Sequence, residues 1–346
     1  MSRSHSHLAR RVLVVAGVVA GVGATGALAA ALAAGRRWGA ADDPTGGEPL
    51  RLAEGIDTVC VTDDGARLAV RVLGSGDAGD VVLPHCWMGS RRFWGPVAER
   101  LVAAGHRVVV YDQRGHGEST VGGAGYTIDA LGDDLDAVLQ HVDVRDVVVA
   151  GHSLGGMTAQ SFLIRHPSTA QRLVRGVVLV STACEFRESG PRFHQTKGLF
   201  GPRMTAVYGN PVMGPMTMRS AVGRRPSLAH LRALTGTIAE TPHEVRVDFL
   251  LAMADMDLAA GLAQVDTPVR ILVGARDQVT TPAQARTLAA SIPAAQLEVL
   301  PDHGHMLVWE APDRIVEAIQ ELGPDRSERT GAATPERSDA GAPPVR

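Results

Sequence analysis

The stretch that most constrains the fold is an unbroken apolar run, residues 147–150, which leads directly into Gly-His-Ser-Leu-Gly-Gly at residues 151–156. Short apolar runs of this kind are typical of strands buried on both faces of a sheet. A helical pattern follows and ends near Pro167, because a proline disfavours helical backbone at the residue before it. The sequence therefore predicts a strand, a tight turn and a helix, with Ser153 at the turn.

Similar apolar runs recur along the chain. The first two predicted strands flank Asp63-Asp64-Gly65, which indicates a hairpin. The later strands are continuous runs, which favour burial on both faces. The predicted strands span residues 56–62, 68–73, 81–83, 108–111, 147–150, 177–180, 269–273 and 297–300.

Helical patterns separate most of these strands. Residues 128–142 carry an apolar stripe at helical spacing, with Thr127 as the N-cap. Residues 282–291 and 312–322 each open with proline, which suits the first helical position. A hairpin followed by alternating strands and helices predicts an α/β fold, a mostly parallel sheet flanked by helices.

The alternation fails between Ser181 and Val265, where no clear strand is visible. An insertion between two strands of such a sheet is expected over the carboxyl ends of the strands, where ligands bind. We predict a helical lid at about residues 185–264. Its methionines suit a pliable apolar wall of a binding site, or they pack the core of the lid itself.

Residues 1–38 hold an uncharged, mildly apolar segment, residues 12–34. As a helix it would reach roughly 34 Å at about 1.5 Å per residue, enough to cross a hydrocarbon core. Two interpretations stay open. Arg36-Arg37 at its end favours a single-pass membrane anchor, whereas the small residues 27–29 fit the cleavage site of a signal peptide.

Arginines stand on both sides of this segment, three before it and two after it. This bias slightly favours an orientation in the cell membrane with the N terminus on the cytoplasmic side and the folded domain on the outer side. Cleavage of a signal peptide would instead give a secreted protein. Residues 39–53 are predicted to be a linker, 54–323 the folded domain, and 324–346, which lack apolar periodicity, a disordered tail.

The overall charge and the cysteines exclude several classes of function. The formal net charge of -3 argues against a nucleic-acid partner. The three cysteines include no CxxC pair, which argues against a disulfide framework and a metal site. We predict no metal and no cofactor, and the oligomeric state stays open.

Ser153 is the candidate nucleophile. Gly-x-Ser-x-Gly between a strand and a helix is the nucleophile-elbow pattern, in which the serine adopts a strained conformation and side chains at 151 and 155 would collide with neighbouring elements. The turn presents the hydroxyl at the N terminus of a helix, where the dipole favours a developing negative charge.

A serine hydroxyl needs a base, and the base needs a partner that fixes its tautomer. Asp277 follows strand 269–273 and His305 follows strand 297–300, so both are expected at the strand ends where Ser153 lies. The order Ser, Asp, His is the one in which such partners follow one another in this kind of fold.

Other residues compete for these roles. His303 is the rival base, expected instead to hydrogen-bond within its loop, and Glu185 is the rival acid after strand 177–180. Asp302 is predicted to be a turn residue. Asp112 is predicted to hold a tight loop together.

These motifs in this order resemble the α/β-hydrolase superfamily over residues 56–322, in particular its single-domain esterase, lipase and peroxidase-like members. With its N-terminal segment the chain also resembles a group of membrane-anchored actinobacterial hydrolases. The pieces that carry the resemblance are Pro84-His85-Cys86-Trp87, residues 112–119 (DQRGHGES), residues 151–156 (GHSLGG), residues 274–277 (GARD) and residues 303–305 (HGH).

The resemblance implies an oxyanion hole made by the backbone N–H groups of Trp87 and Leu154. The family usually has His-Gly where this chain has His85-Cys86, so the Cys86 side chain could crowd the loop or shift the Trp87 N–H. Cys86 is not expected to be the nucleophile, because the motif order places no base beside it. His85 and His152 are expected to be structural.

The predicted activity is hydrolysis of a carboxylic ester, expected to be lipophilic, through an acyl-enzyme on Ser153. Two alternatives remain. The same three residues serve cofactor-free perhydrolases and peroxidases. The chain could also be a catalytically idle binding module tethered to the membrane through residues 12–34.

Overall fold

A computed structural model of the chain describes residues 43–186, 194–195, 197–224 and 227–322. The fold is built on one eight-stranded sheet with the strand order β1-β2-β4-β3-β5-β6-β7-β8. The strands are β1 (Ile56–Val61), β2 (Arg67–Leu73), β3 (Asp80–Pro84), β4 (Arg107–Tyr111), β5 (Val147–His152), β6 (Val174–Val180), β7 (Val269–Gly274) and β8 (Ala295–Leu300).

The pairing of the strands confirms the predicted hairpin and the mostly parallel sheet. β1 and β2 are antiparallel, β2 runs antiparallel to β4, and every later pair is parallel. One detail differs from the prediction: β8 forms an edge of the sheet and only Leu300 in it is buried. As an edge strand, β8 is covered less completely than the central strands, and most of its side chains are only partly buried.

Helices cover both faces of the sheet. Thr127 caps its helix as predicted, its side chain accepting a hydrogen bond from Ala130 N. Three of the described helices have no counterpart among the predicted ones: Gly95–Ala103, Pro167–Leu173 and Leu307–Glu310. In the described residues the α-helices are α1 (Gly95–Ala103), α2 (Ile128–His141), α3 (Leu154–Arg165), α4 (Pro167–Leu173), α5 (Pro202–Tyr208), α6 (Met213–Thr217), α7 (Leu228–Glu240), α8 (His243–Ala254), α9 (Ala259–Leu262), α10 (Pro282–Ser291), α11 (Leu307–Glu310) and α12 (Pro312–Glu321).

An apolar core lies on each face of the sheet. In β3, Val81 and Leu83 belong to one core and Val82 to the other, because successive strand side chains point to opposite faces. α1 and α12 pack on the first core, and α2 and α3 pack on the second. Both faces of the central strands are therefore dry, as their unbroken apolar runs predict.

The insertion, residues 185–264, contains helices α5 to α9, and within its described residues the only β-pairing is an isolated bridge between Glu185 and Asp257. It contacts loops at the carboxyl ends of the strands. Thr241 Oγ1 donates to Met88 O after β3, and His305 N–H after β8 donates to Ala221 O. The insertion thus covers the edge at which the predicted catalytic residues lie; opening and closing as a lid remains a prediction.

Residues 43–53 contain no helix or strand, yet they pack against the domain, unlike a free linker. The buried Asp43 carboxylate accepts hydrogen bonds from Ser227 Oγ (2.8 Å) and from His230 Nε2 (3.0 Å) at the start of α7. The His230 ring in turn lies 5.4 Å from that of Trp309. This segment therefore joins the insertion to the main domain.

Replacing Asp43 by alanine is expected to lower the free energy of unfolding by about 1–3 kcal/mol, because Ser227 and His230 lose a buried acceptor. Thermal or urea unfolding measures the loss. Glu48→Ala is the matched control, because its pairing with Arg51 is exposed and 3.9 Å long. Equal stability of Asp43→Ala and Glu48→Ala would contradict the packing role of Asp43.

The predicted anchor or signal segment, residues 12–34, lies outside the described residues, as do the whole predicted tail, residues 324–346, and residues 39–42 of the linker. Among the residues that the structure describes, none of the helices combines the length and apolar character needed to span a bilayer.

Candidate active site

Ser153 lies at the turn between β5 and α3 with a strained backbone, φ 54° and ψ −113°. Its neighbours explain why the turn needs glycine. A Cβ at Gly151 would collide with the backbone of Gly155, and a Cβ at Gly155 would collide with the carbonyl of Pro84 at the end of β3. The strand, turn and helix therefore pack too closely for side chains at either position, and the turn presents Ser153 at the first turn of α3.

Asp277 and His305 meet at the same edge of the sheet. His305 Nδ1 donates to Asp277 Oδ2 at 2.9 Å, and both side chains are buried. The other Asp277 oxygen accepts the N–H groups of Val279 (2.8 Å) and Thr280 (2.9 Å), while Thr280 Oγ1 donates to Oδ2 (3.0 Å). The carboxylate is thus fixed in orientation, and its partner ring carries a proton on Nδ1 and a lone pair on Nε2.

One hydrogen bond joins the segment that carries Ser153 to the segment that carries His305. The ring of His152, the residue before Ser153, donates from Nε2 to His305 O at 2.9 Å. In the described part of the chain, the Ser153 hydroxyl makes no hydrogen bond. Within the described residues the structure therefore joins Asp277 to His305 directly and joins the Ser153 hydroxyl to neither; hydrogen bonds between catalytic groups are often long in free enzymes.

Two backbone N–H groups of the candidate site, those of Leu154 and Trp87, have no acceptor in the part of the chain that the structure describes. That of Leu154 is the first of α3, so it has no partner within the helix. That of Trp87, in the loop after β3, also has no acceptor among the described residues. They are the two donors that the resemblance implies for an oxyanion hole.

The loop that carries Trp87 follows β3, and hydrogen bonds fix it to the loop that follows the neighbouring strand β4. Met88 has φ 57°, a strained value, and its N–H donates to the Nε2 of His116 at 3.1 Å. His85 Nδ1 donates to Cys86 O (2.7 Å) and its Nε2 accepts the Gln113 N–H (3.0 Å). Neutral imidazoles are needed for both acceptor roles.

Burial favours these neutral forms. It lowers the pKa of His85 to about 4 and that of His116 to about 3, against an ordinary value near 6.5. The pKa of His152 falls to about 3 for the same reason. The three histidines therefore act as hydrogen-bonding parts of the scaffold at neutral pH, as expected for His85 and His152. His116 was not singled out, although it lies within one of the matching motifs.

Cys86 points away from the site. Its side chain is buried in the core on the α1 face, and burial raises the pKa of its thiol to about 12. A thiol in that environment stays protonated at neutral pH, which argues against a nucleophilic role. At the position where the chain departs from His-Gly, the added side chain therefore packs in the core.

The other residues that the sequence offers as base or acid make different contacts in the structure. His303 Nδ1 donates to Pro301 O within its loop, and Asp302 has φ 64°, as expected for a turn residue. Glu185 pairs in the bridge to Asp257. Asp112 accepts the N–H of Glu118 within its own loop, as predicted, and it also accepts the N–H of Arg91 in the neighbouring loop.

The wall beside Ser153 is apolar. Leu154 and Met157 of α3 share one cluster with Phe249 of α8 in the insertion. Trp87 packs against this cluster and places its ring 4.9 Å from that of Phe200. Two methionines of the predicted apolar wall, Met253 and Met256, are also in this cluster, whereas Met213 is exposed. Within the described residues, no three His, Cys, Asp or Glu side chains are arranged to hold a metal ion.

The model of the serine aminopeptidase S33 family matches residues 78–312. This range contains β3 to β8, the insertion, and Ser153, Asp277 and His305. The chain belongs to this family. It is an enzyme of the α/β-hydrolase superfamily, with the expected eight-stranded, mostly parallel sheet.

Similar proteins and solved structures agree with this placement. A non-heme haloperoxidase from Rhodococcus erythropolis is 28% identical over 256 residues, 70% of this chain and 90% of that protein. An esterase from Exiguobacterium antarcticum has the same fold, with a TM-score of 0.68 at 21% identity over 77% of this chain and 98% of its own. An esterase from a Rhodococcus species is 26% identical, with a TM-score of 0.63 over 77% of this chain and 98% of its own.

Proposed function

We propose that this α/β-hydrolase cleaves carboxylic esters through an acyl-enzyme on Ser153. One observation carries the proposal: the buried hydrogen bond from His305 Nδ1 to Asp277 Oδ2. It leaves the lone pair of Nε2 available at the edge of the sheet where the strained turn presents the Ser153 hydroxyl. The N–H groups of Leu154 and Trp87 have no acceptor among the described residues, so they are free to stabilise the charge that develops in a tetrahedral intermediate.

The reaction has two steps. His305 Nε2 takes the proton of Ser153 as its Oγ attacks the ester carbonyl, and the N–H groups of Leu154 and Trp87 stabilise the resulting oxyanion. The imidazolium, stabilised by Asp277, then gives its proton to the leaving alcohol. Water activated by His305 attacks the acyl-enzyme and releases the acid, which restores Ser153.

The apolar wall supports a lipophilic acyl or alcohol group. Leu154, the residue after Ser153, packs with Met157 and Phe249 in one buried apolar cluster, and Trp87 joins that cluster to Phe200 of the insertion. We further propose that residues 12–34 anchor the enzyme to the cell membrane with the catalytic domain outside, the alternative being secretion after cleavage. Retention of the activity in the membrane pellet after high-salt washing would support the anchor; its release would favour secretion.

A perhydrolase activity is the second candidate, favoured by the similarity to the non-heme haloperoxidase from Rhodococcus erythropolis. Hydrogen peroxide would then replace water in the second step and a peracid would be the product. Formation of peracid from acetate and hydrogen peroxide, at a rate that exceeds ester hydrolysis, would favour this function.

A fluorophosphonate probe tests the proposal directly, because it phosphonylates an activated serine. We expect one adduct per chain, located on Ser153 by mass spectrometry of peptides. p-Nitrophenyl acetate, octanoate and dodecanoate then test the substrate class, with faster turnover expected for the longer esters. Folded protein that gains no adduct would favour the idle binding module, and preference for acetate would contradict a lipophilic substrate.

A further inference from the structure

Glu310, at the end of α11, lies outside the set of residues assigned so far. Its carboxylate accepts three backbone N–H groups. Oε2 accepts those of Gly223 (2.8 Å) and Gly304 (3.0 Å), and Oε1 accepts that of Met306 (3.2 Å). Among the described residues no Lys, Arg or His forms an ion pair with it, so its hydrogen bonds all go to backbone.

The three donors come from two segments that meet at His305. Gly304 and Met306 are the residues on either side of His305. Gly223 belongs to the insertion, two residues after Ala221, whose carbonyl accepts the His305 N–H at 2.9 Å. The backbone around His305 is therefore held on one side by Glu310 and on the other by the insertion, and Glu310 also binds the insertion.

Close packing makes this arrangement rigid. A Cβ at Gly304 would approach the carbonyl carbon of Val222 to 2.5 Å and the nitrogen of Gly223 to 2.6 Å. The two segments therefore touch along their backbones. A shift of the insertion cannot leave the backbone of His305 in place unless the hydrogen bonds to Glu310 and Ala221 break.

We propose that Glu310 is a positioning residue for His305: it sets the place of the imidazole and makes that place depend on the insertion. The inference rests on the proposed function, in which His305 is the base. An ionised carboxylate is suited to this task, because it accepts several N–H groups at once and such charge-assisted hydrogen bonds are stronger than neutral ones. A displaced His305 would align poorly with both Asp277 and Ser153, which lowers the rate of each proton transfer.

Two substitutions of Glu310 in the full-length protein should lower kcat to different degrees. Glu310→Gln keeps the size and one oxygen, which can still accept from Gly223 and Gly304, but turns an NH₂ group towards the Met306 N–H. Glu310→Ala removes all three acceptors. We expect kcat to fall about threefold to tenfold in Glu310→Gln and about tenfold to a hundredfold in Glu310→Ala, with KM within about twofold of the wild type.

Glu317→Gln is the matched control, an exposed glutamate of α12 that pairs only with Arg314 at 3.4 Å; it should behave as the wild type. Two readouts separate positioning from stability. The second-order rate of phosphonylation by the fluorophosphonate should fall in parallel with kcat. The acidic limb of the pH profile of kcat/KM, which reports the base in the free enzyme, should shift because His305 loses its alignment with Asp277.

All rates are normalised to folded protein measured by thermal unfolding. Normalised kcat and pH profiles of Glu310→Gln that equal those of the wild type would overturn the inference, even if Glu310→Ala fails to fold. A wild-type enzyme that takes up no probe would overturn the proposed function and this inference together, so the two failures are distinguishable.

Discussion

Replacing Ser153 by alanine is expected to lower kcat/KM for a p-nitrophenyl ester by about 10⁶-fold, because no other group can form the acyl-enzyme. The substitution removes one oxygen from a buried side chain whose hydroxyl makes no hydrogen bond among the described residues. The fold should therefore be intact, with an unchanged thermal unfolding midpoint. Steady-state hydrolysis and fluorophosphonate labelling measure the loss.

Ser181 supplies the matched control. It directly follows the neighbouring strand β6, is buried, and also has a positive φ of 45°. Its hydroxyl has no hydrogen-bond partner in the described part of the structure. Ser181→Ala should retain activity within about twofold. Retention of more than about one hundredth of the activity in Ser153→Ala would contradict covalent catalysis by Ser153.

The sheet and the positions of the three predicted catalytic residues could be derived from the sequence because the relevant signals are local. Each strand is a run of apolar residues next to a turn, and a parallel sheet brings the carboxyl ends of its strands to one edge. The glycines around Ser153 indicate the tight turn in the same local way, since the clash at Gly155 is with Pro84, at the end of an adjacent strand. The order of the motifs then selects Asp277 and His305.

The supports of the site could not be derived, because they are contacts between residues far apart in the chain. The hydrogen bond from Met88 N–H to His116 spans 28 residues and that from Gly223 to Glu310 spans 87. No local pattern encodes such a pair. The burial of Asp43 against His230 could not be predicted for the same reason. A segment of small and polar residues with proline and glycine has the same sequence pattern whether it packs against a domain or forms a free linker.

The insertion illustrates both cases. Its interruption of the strand pattern is visible in the sequence, and so is its place after β6. Its attachment to the site is not, because it depends on single backbone contacts: the His305 N–H to Ala221 O and the Thr241 hydroxyl to Met88 O. These contacts join the insertion to the loop that carries the base and to the loop that carries the Trp87 N–H.

Replacing Asp277 by asparagine is expected to lower kcat/KM about 10⁴-fold with little change in structure. The reason lies in the two backbone N–H groups, of Val279 and Thr280, that bind Oδ1 of Asp277. They would select the orientation in which the Asn oxygen faces them, so the NH₂ group would face His305. A donor at that place requires Nδ1 of His305 to be an acceptor, which moves the ring proton to Nε2.

An imidazole protonated on Nε2 cannot take the proton of Ser153, so the loss should appear in hydrolysis and in phosphonylation alike. Asp302→Asn is the control: its side chain is 55% exposed and pairs with Arg224 and Arg276 at the surface, so its activity should be close to that of the wild type. A loss below about tenfold in Asp277→Asn would mean that the tautomer of His305 is set by another group. Thr280, whose Oγ1 lies 3.2 Å from Nδ1, would be the first residue to substitute.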